Sequence, residues 1–308
     1  MGQGNLLREL TGEPDRAEDI GLSPAAAQRR ASTARSAQRL RALPQEGGAS
    51  EFMTTRDAQI GFEDLLLPKE TRRLFAEVHL ELRREDFLVH HGVAPRRTFL
   101  FVGPPGTGKS ATAEAVADEL GRPLATINLS TVVSSLLGDT ARNLAAIFSA
   151  AERNAYVILF DEFDAIGKER SEGSDHGELR RVVTAFLQQL DAFVGPSILI
   201  AASNHPSLLD LAAWRRFDEV VAFESPSVHE IRSLLRLKLR SVKREKGMSV
   251  DQIAGACVGL TQADVSSVVT DAYRHHLLMD PSTPLRTEEL LAAAAAAQRR
   301  IAAAHAGT

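Results

Sequence analysis

The chain has 308 residues, 44% hydrophobic and 25% charged, which is enough to bury the cores of two globular domains. Its formal net charge of -4 lacks the basic excess of a nonspecific nucleic-acid binder, so nucleic acid is not the expected partner. The single cysteine, Cys257, excludes an internal disulfide, and no apolar run approaches the roughly 20 residues of a membrane span, so we expect a cytoplasmic protein without a membrane partner.

Residues 1–52 form a low-complexity segment that cannot build a hydrophobic core alone, with a block from Ser23 to Leu43 rich in alanine, arginine, glutamine and serine. Ser23 followed by Pro24 is a plausible helix start, so the segment is either a mobile tail or in part a short basic helix. Glu51 and Phe52, directly before Met53, are also what a common cloning site encodes. The sequence leaves open whether the segment is native or a fusion.

Residues 53–91 carry apolar residues at helical spacing and are predicted to form a helical lead-in. Residues 92–226 alternate short Val, Ile, Leu and Phe runs with longer helical segments, a pattern typical of a parallel sheet sandwiched by helices. The predicted strands are 97–102, 124–129, 156–161, 197–203 and 219–223.

Residues 227–303 contain amphipathic segments and no strand pattern, which predicts a small all-α lid domain. The predicted helices lie near residues 228–245, 249–257, 261–279 and 287–303. The predicted fold class is therefore α/β, a large domain built on a parallel sheet followed by a helical domain.

The strongest motif is GPPGTGKS at residues 103–110, which lies between a predicted strand and a predicted helix and matches GxxxxGK[ST], the P-loop of NTPases. Glycines in such a loop let successive backbone N–H groups face anionic oxygens at a helix N-terminus. Lys109 is predicted to reach the terminal phosphates and Ser110 to offer its hydroxyl to Mg2+. The predicted nucleotide-binding residues here are Gly103, Pro104, Pro105, Gly106, Thr107, Gly108, Lys109, Ser110 and Ala111.

A second motif, YVILFDEFD at residues 156–164, is a buried strand that ends abruptly in carboxylates. Asp161 is predicted to bind Mg2+ through water, and Glu162 to polarise the water that attacks the γ-phosphate. Solvated strand ends look similar, so the motif is weak alone. It becomes strong when it follows a P-loop at about fifty residues.

With these two motifs the chain resembles the AAA ATPases, in the branch that contains SpoVK-like proteins, katanin, spastin and the FtsH-type protease motors. The resemblance covers about residues 61–272 and implies an ATPase that uses ATP and Mg2+. It also implies that Asn204, which follows the run ILIAAS, is a polar sensor near the attacking water.

The family carries a segment ending in RPGRFD, whose arginines reach the nucleotide of the neighbouring subunit. This chain has WRRFD, so the resemblance assigns that role to Arg215 and Arg216, although the intervening Pro-Gly is absent. The sequence does not decide which arginine acts in trans. The expected assembly is a homo-oligomer, a hexameric ring.

The lid sequence GLTQADVSSVVTDA at residues 259–272 resembles the family helix GxSGADL, which approaches the nucleotide with small residues. The resemblance places Gln262 and Ala263 at the nucleotide, but Gln262 stands where glycine is usual. Lys238 falls where relatives often stack a histidine near the base. Contacts to the base are therefore left open.

The segment after the second strand of the α/β domain enters the ring pore in this family, and the pore candidates here are Leu136, Leu137 and Gly138. The usual aromatic residue is missing, and the two leucines could instead pack beneath the sheet. The polar stretch 168–177 resembles a second pore loop. Candidates for contacts between subunits are Arg180, Arg181 and the segment 191–193, with solvated helix charges as the alternative.

The predicted function is that of a ring motor that remodels or unfolds protein substrates, with a separate protease or effector as a further partner. His229 and Glu230 begin HEIRS, which lacks the second histidine of a zinc-protease HExxH motif. One alternative is an ATP-dependent assembly switch without threading. A DNA motor is the third, although a basic pore and a second sensor arginine are not visible. The substrate cannot be named from the sequence.

Overall fold

A computed structural model gives the fold of residues 52–129, 132, 140–164, 176–208 and 211–306. The pore candidates Leu136, Leu137 and Gly138 lie outside these described residues, as do residues 1–51 and most of the stretch 168–177. The side chains of Arg180 and Arg181 are likewise outside the description. Those predictions stay predictions.

Six strands of the described residues form one sheet. They are β1 (Thr54–Arg56), β2 (Thr98–Val102), β3 (Leu124–Asn128), β4 (Val157–Asp161), β5 (Ile198–Ser203) and β6 (Glu219–Ala222). The order across the sheet is β1-β3-β4-β5-β2-β6, so β5 lies between the strand that precedes the P-loop and the strand that ends in Asp161. The five predicted strands of the α/β region are confirmed to within one residue at each end.

The pairing is mostly parallel. β3 pairs with β4 and β4 with β5 in parallel register, with Asn128 opposite Asp161. β6 runs in the direction of β2, because the Asp218 N–H donates to the Thr98 carbonyl at one end and the Phe223 N–H to the Val102 carbonyl at the other. The carboxyl ends of these strands therefore meet at one edge of the sheet, as expected for the predicted α/β class.

The lead-in prediction is wrong in one respect. Residues 54–56 form β1, which pairs antiparallel with β3. Three residues are too few for a period-2 pattern to be visible in the sequence. The strand is held partly by Arg56, whose guanidinium lies 2.6 Å from the buried carboxylate of Glu114.

Helices make up most of the remaining described chain. They are α1 (Lys69–Arg83), α2 (Glu85–His90), α3 (Lys109–Leu120), α4 (Thr140–Arg153), α5 (His176–Ala192), α6 (Leu211–Trp214), α7 (Val228–Lys238), α8 (Val250–Ala256), α9 (Gln262–Met279) and α10 (Thr287–Ala306). Capping boxes begin two lid helices: Ser227 with Glu230 caps α7, and Thr261 with Asp264 caps α9. These caps satisfy N–H groups that a helix start leaves without partners.

The chain divides into two compact units. The first contains the described residues up to Phe62, with Leu67–Phe101 and Ser110–Val221. The second contains Glu63–Leu66, Val102–Lys109 and the described residues from Ala222 onward. The loop 103–109 of the P-loop motif, here called the phosphate loop, therefore belongs to the same unit as the lid helices.

Each unit has its own apolar core. In the first, three phenylalanines that are at most 2% exposed pack around the fully buried Phe186 ring: Phe148, Phe160 and Phe163. In the second, α7 to α10 enclose a core that includes Cys257. Burial raises the pKa of the Cys257 thiol to about 11, as is typical of an unreactive cysteine in an apolar core.

The buried histidine of the lid is structural. Nε2 of His276 lies 2.9 Å from the Thr283 carbonyl oxygen, and Nδ1 lies 3.0 Å from a Glu289 carboxylate oxygen. These two acceptors, the Thr283 carbonyl first, raise the pKa of His276 above its ordinary value. Among the described residues no helix is long and apolar enough to cross a membrane.

Candidate active site

The phosphate loop leaves β2 through glycines that no other residue can replace. Gly103 has a φ of 150°, and a Cβ there would lie 2.1 Å from the Phe223 carbonyl oxygen. Gly106 has a φ of 74°, and a Cβ there would lie 2.5 Å from Oγ1 of Thr261. Both positions need a left-handed backbone and close approach, which only glycine allows without strain. The backbone geometry at these two positions therefore explains why the GPPGTGKS motif has glycine there.

Lys109 opens α3 and is only 6% exposed. Its Nζ donates to the carbonyl oxygens of Gly103, at 2.7 Å, and Pro104, at 2.8 Å. Thr107 Oγ1 also donates to Pro104 O, at 2.8 Å, which closes the loop on itself. A buried ammonium group held over a glycine loop at a helix N-terminus suits an anionic phosphate group.

At the end of β4 a hydroxyl and a carboxylate come together. Ser110 Oγ donates to Asp161 Oδ2 at 3.3 Å, although the two residues are 51 positions apart. Asp161 Oδ1 accepts from the Glu162 N–H at 2.9 Å. Oxygen donors of these types are the ligands that Mg2+ prefers, so the pair fits the predicted metal-binding role.

Glu162 has an unusual backbone, with a φ of 55°. A non-glycine residue in the left-handed region costs about 1–3 kcal/mol and persists only where the surroundings hold it. Here Asp161 Oδ1 fixes its N–H, and the next N–H, that of Phe163, donates to the Ala202 carbonyl at 2.8 Å. Backbone strain of this kind is common at functional sites, and the Glu162 side chain that it carries is exposed to solvent.

Asp164 is a site residue that sequence reasoning did not find. Its side chain is 4% exposed, and Oδ1 accepts from the backbone N–H of Asn204 at 3.0 Å. The carboxylate therefore joins the turn after β4 to the residue that follows β5. The only signal was the second aspartate of DEFD, which the sequence alone does not distinguish from a solvated charge.

The predicted arginines differ in their surroundings. Arg215 is exposed, whereas Nη1 of Arg216 lies 2.8 Å from Asp191 Oδ2 in the same chain. The next residue, Phe217, is buried, and its ring packs edge-on against Phe163 with centroids 6.0 Å apart. The arginine segment is thus packed against the residue after Glu162.

Within the second unit, the start of α9 touches the phosphate loop. The Ala263 N–H donates to the Gly106 carbonyl at 3.0 Å. The side chain of Gln262 donates from Nε2 to the Leu66 carbonyl at 3.3 Å. Nζ of Lys238 donates to the Asp64 carbonyl at 3.2 Å, so this lysine contacts the chain before α1.

The structure therefore brings the predicted residues together in two groups. One joins Ser110, Asp161 and Glu162, with Asn204 attached through Asp164. The other joins the loop 103–109 to the start of α9. The first group contains the hydroxyl and carboxylate oxygens suited to Mg2+ and water, and the second contains the phosphate loop.

A family model described as "ATPase family associated with various cellular activities (AAA)" matches residues 99–225. The chain is also 36% identical, over 232 residues, to the uncharacterized AAA family ATPase y4kL of Sinorhizobium fredii, a match that covers 75% of this chain and 70% of that protein. The chain belongs to the AAA ATPase family. It is an ATP-hydrolysing enzyme, as the resemblance predicted.

Other relatives of this AAA ATPase are longer proteins. It is 32% identical over 230 residues to the ATP-dependent zinc metalloprotease FtsH 1 of Sphaerobacter thermophilus, covering 72% of this chain and 35% of that protein. It is 34% identical over 221 residues to the ATP-dependent zinc metalloprotease FtsH 3 of Synechocystis, covering 70% of this chain and 36% of that protein. The AAA ATPase thus spans about a third of the length of these metalloproteases.

Proposed function

We propose that this AAA ATPase is a Mg2+-dependent ring motor that uses ATP hydrolysis to remodel or unfold protein substrates. The observation that carries the proposal is the packing of the arginine segment on the turn of Glu162, through Phe217 and Phe163. An arginine that serves a neighbour's nucleotide is thereby coupled to the chain's own catalytic turn. The names of the metalloprotease relatives support a protein substrate, with a separate protease or effector as partner.

The residues take the following roles in the proposal. The N–H groups of the loop 103–109 and the Lys109 ammonium hold the phosphates, while Ser110 and Asp161 hold Mg2+. Mg2+, when bound, neutralises charge on the phosphate oxygens. Glu162 accepts a proton from the attacking water, and Asn204 orients that water. Gln262 and Ala263 face the nucleotide from the lid.

We assign the two arginines different tasks. Arg216 is paired with Asp191 within its own chain, whereas Arg215 is exposed. An arginine finger must reach out of its own subunit, and a guanidinium already paired in cis loses that contact when it does so. Arg215 is therefore the proposed trans residue, and Arg216 with Asp191 positions it. An arginine supplied in trans accelerates phosphoryl transfer by roughly a thousandfold or more.

Subunit mixing tests the proposal. Arg215→Ala protein is titrated into wild type, and ATP hydrolysis is measured with and without an unfolded model protein such as casein. We expect the rate to fall more steeply than the wild-type fraction, because each variant subunit also disables its neighbour's site. Arg216→Ala is the matched control and is expected to give a shallower decrease.

Two outcomes would contradict parts of this proposal. A linear dependence on wild-type fraction, or a full specific rate from strictly monomeric protein, would overturn the ring. A steep dependence without any stimulation by casein would instead support the assembly switch, in which ATP holds a ring together and slow hydrolysis releases a partner. The leucines at positions 136 and 137, in place of an aromatic residue, favour that second candidate.

A further inference from the structure

The side chain of Gln262 lies between the phosphate loop and a distant segment of the chain. Its Nε2 donates to the Leu66 carbonyl at 3.3 Å, across 196 positions in sequence. Its Oε1 is the nearest atom to the open face of Gly108, 3.6 Å from where a Cβ would stand. One amide group therefore faces the loop with its acceptor and residues 63–66 with its donor.

Residues 63–66 belong to the lid unit, although the residues on both sides of them belong to the other unit. The Leu66 side chain packs against the lid core. Asp64 is held from α7 and the residues after it, by Lys238 Nζ on its carbonyl and by Arg240 Nη2 at 2.7 Å from its carboxylate. The segment is thus attached to the lid at Asp64 and, separately, at Leu66.

The two attachments differ in what else they touch. Lys238 and Arg240 contact the segment at Asp64 and Glu63. Gln262 stands in the first turn of α9, where the next residue, Ala263, donates to the Gly106 carbonyl of the loop. The attachment at Leu66 is therefore the one that is continuous with the phosphate loop.

We propose that Gln262 is a coupling residue that transmits nucleotide occupancy of the phosphate loop to the 63–66 segment. The proposal rests on the nucleotide-binding role given to the loop above. A bound phosphate fixes the loop backbone, and the α9 turn bonded to that backbone becomes fixed with it. The Gln262 amide then holds the Leu66 carbonyl more persistently. A glycine at this position, usual in the family that the chain resembles, has no side chain to make this link.

Hydrogen exchange of the full chain measures the coupling. The peptide covering residues 62–67 is followed without nucleotide and with Mg2+ and ADP at saturation, and a fluorescent ADP analogue reports occupancy separately. In wild type we expect ADP to slow exchange of the N–H groups of this peptide about fivefold. The bond from Gln262 to the Leu66 carbonyl keeps the segment attached, and strengthening one neutral hydrogen bond disfavours detachment by about that factor. In Gln262→Ala we expect less than a twofold change at equal occupancy.

Two further variants separate coupling from simple loosening. Arg240→Ala removes the ion pair at Asp64 and leaves the Lys238 bond in place. In this variant the 62–67 peptide should exchange faster in both states but keep the ADP effect. Gln262→Glu fills the same space and turns an oxygen toward the Leu66 carbonyl, so it should lose the ADP effect as Gln262→Ala does. Melting temperatures in the absence of nucleotide show that each variant is folded.

The proposal is overturned if ADP protects residues 62–67 equally in wild type and Gln262→Ala, or if Gln262→Glu retains the effect. Wild type that fails to bind the fluorescent ADP analogue would overturn the nucleotide role of the loop itself. Binding without protection of the segment in wild type would overturn only the coupling. The two failures are therefore distinguishable.

Discussion

The two ends of the parallel strands hold their charged side chains differently. At the amino end, Arg96 meets three carboxylates, those of Glu77, Glu81 and Glu219, at 3.4, 2.5 and 2.8 Å. The hydrogen bond to Glu81 contributes most to raising the pKa of Arg96 above its ordinary value. Beside it, Arg97 binds the Glu85 carboxylate and the Pro196 carbonyl. Here arginine–carboxylate ion pairs predominate, although the Asp218 carboxylate also accepts from the backbone N–H groups of Arg97 and Thr98.

At the carboxyl end, the two aspartates of the site are held by backbone N–H groups. Asp161 accepts from the Glu162 N–H, and Asp164 accepts from the Asn204 N–H. The Glu162 backbone is held in a left-handed conformation that its surroundings must stabilise. This edge fixes the direction of its side chains and presents the Glu162 carboxylate to solvent.

The difference between the two ends suggests that the amino end of the sheet contributes mainly to stability and the carboxyl end mainly to catalysis. Ion pairs among side chains join elements and tolerate small shifts, so they suit the amino end. Carboxylates fixed by N–H donors keep a defined orientation, which a group that must meet a water or metal ion requires. We therefore expect substitutions at the carboxyl end to change turnover, and substitutions at the amino end to change the free energy of unfolding.

The largest effect is expected for Glu162→Gln. The amide keeps the size of the side chain but cannot accept the proton, so kcat should fall by about 100-fold or more. Affinity for a fluorescent ATP analogue should stay within about twofold, since Glu162 does not hold the phosphates. Phosphate release measures kcat, and Glu152→Gln, an exposed change on α4, is the control. Wild-type turnover in Glu162→Gln would remove Glu162 from its proposed role.

A smaller effect on turnover is expected at Asp164. Asp164→Ala removes the acceptor of the Asn204 N–H, which frees the residue after β5, and kcat should fall roughly tenfold with little change in KM for ATP. Asp164→Asn retains a side-chain oxygen and should recover most of the rate. Steady-state kinetics on the folded fraction measure both. An equal loss in the two variants would mean that the charge, and not the hydrogen bond, matters.

The smallest effect on catalysis is expected at the amino end. Arg96→Ala leaves three carboxylates close together without their shared cation, and should lower the free energy of unfolding by about 1–2 kcal/mol, discounted because the side chain is 25% exposed. Turnover per folded molecule should remain within twofold. Urea unfolding measures the first quantity, with Arg274→Ala, an exposed change on α9, as control. A loss of turnover without a loss of stability would break the contrast between the two ends.

Much of the fold could be predicted from the sequence, because its strands are short apolar runs bounded by polar residues. β1 was not predicted, because a strand of three residues at the sheet edge is too short to show a periodic pattern. For the site, GPPGTGKS and the pair Asp161–Glu162 were visible as motifs. Asp164 was not, because its role depends on Asn204, 40 positions away, and on burial.

Arg215 and Arg216 also show what the sequence can predict and what it cannot. Their type and register could be predicted from RRFD, but their different surroundings could not. Arg216 meets Asp191, a residue from the end of α5, only because the chain folds so that these two segments meet. Likewise the resemblance placed Lys238 where relatives often stack a histidine near the base, whereas its bond to the Asp64 carbonyl required the structure.

Two properties could be predicted from the sequence alone. The ATPase activity was predictable because the glycines and the lysine of a phosphate loop lie within eight consecutive residues. The parallel sheet was predictable because short apolar strands alternate with helical segments along the chain. Tertiary structure alone decided how the remaining parts connect. It placed Gln262 against both Gly108 and Leu66, and Phe217 against Phe163, because contacts across many tens of residues depend on how the helices and strands pack. A motif made of neighbouring residues can be recognised in the sequence, whereas contacts between residues far apart in sequence form only when the chain folds.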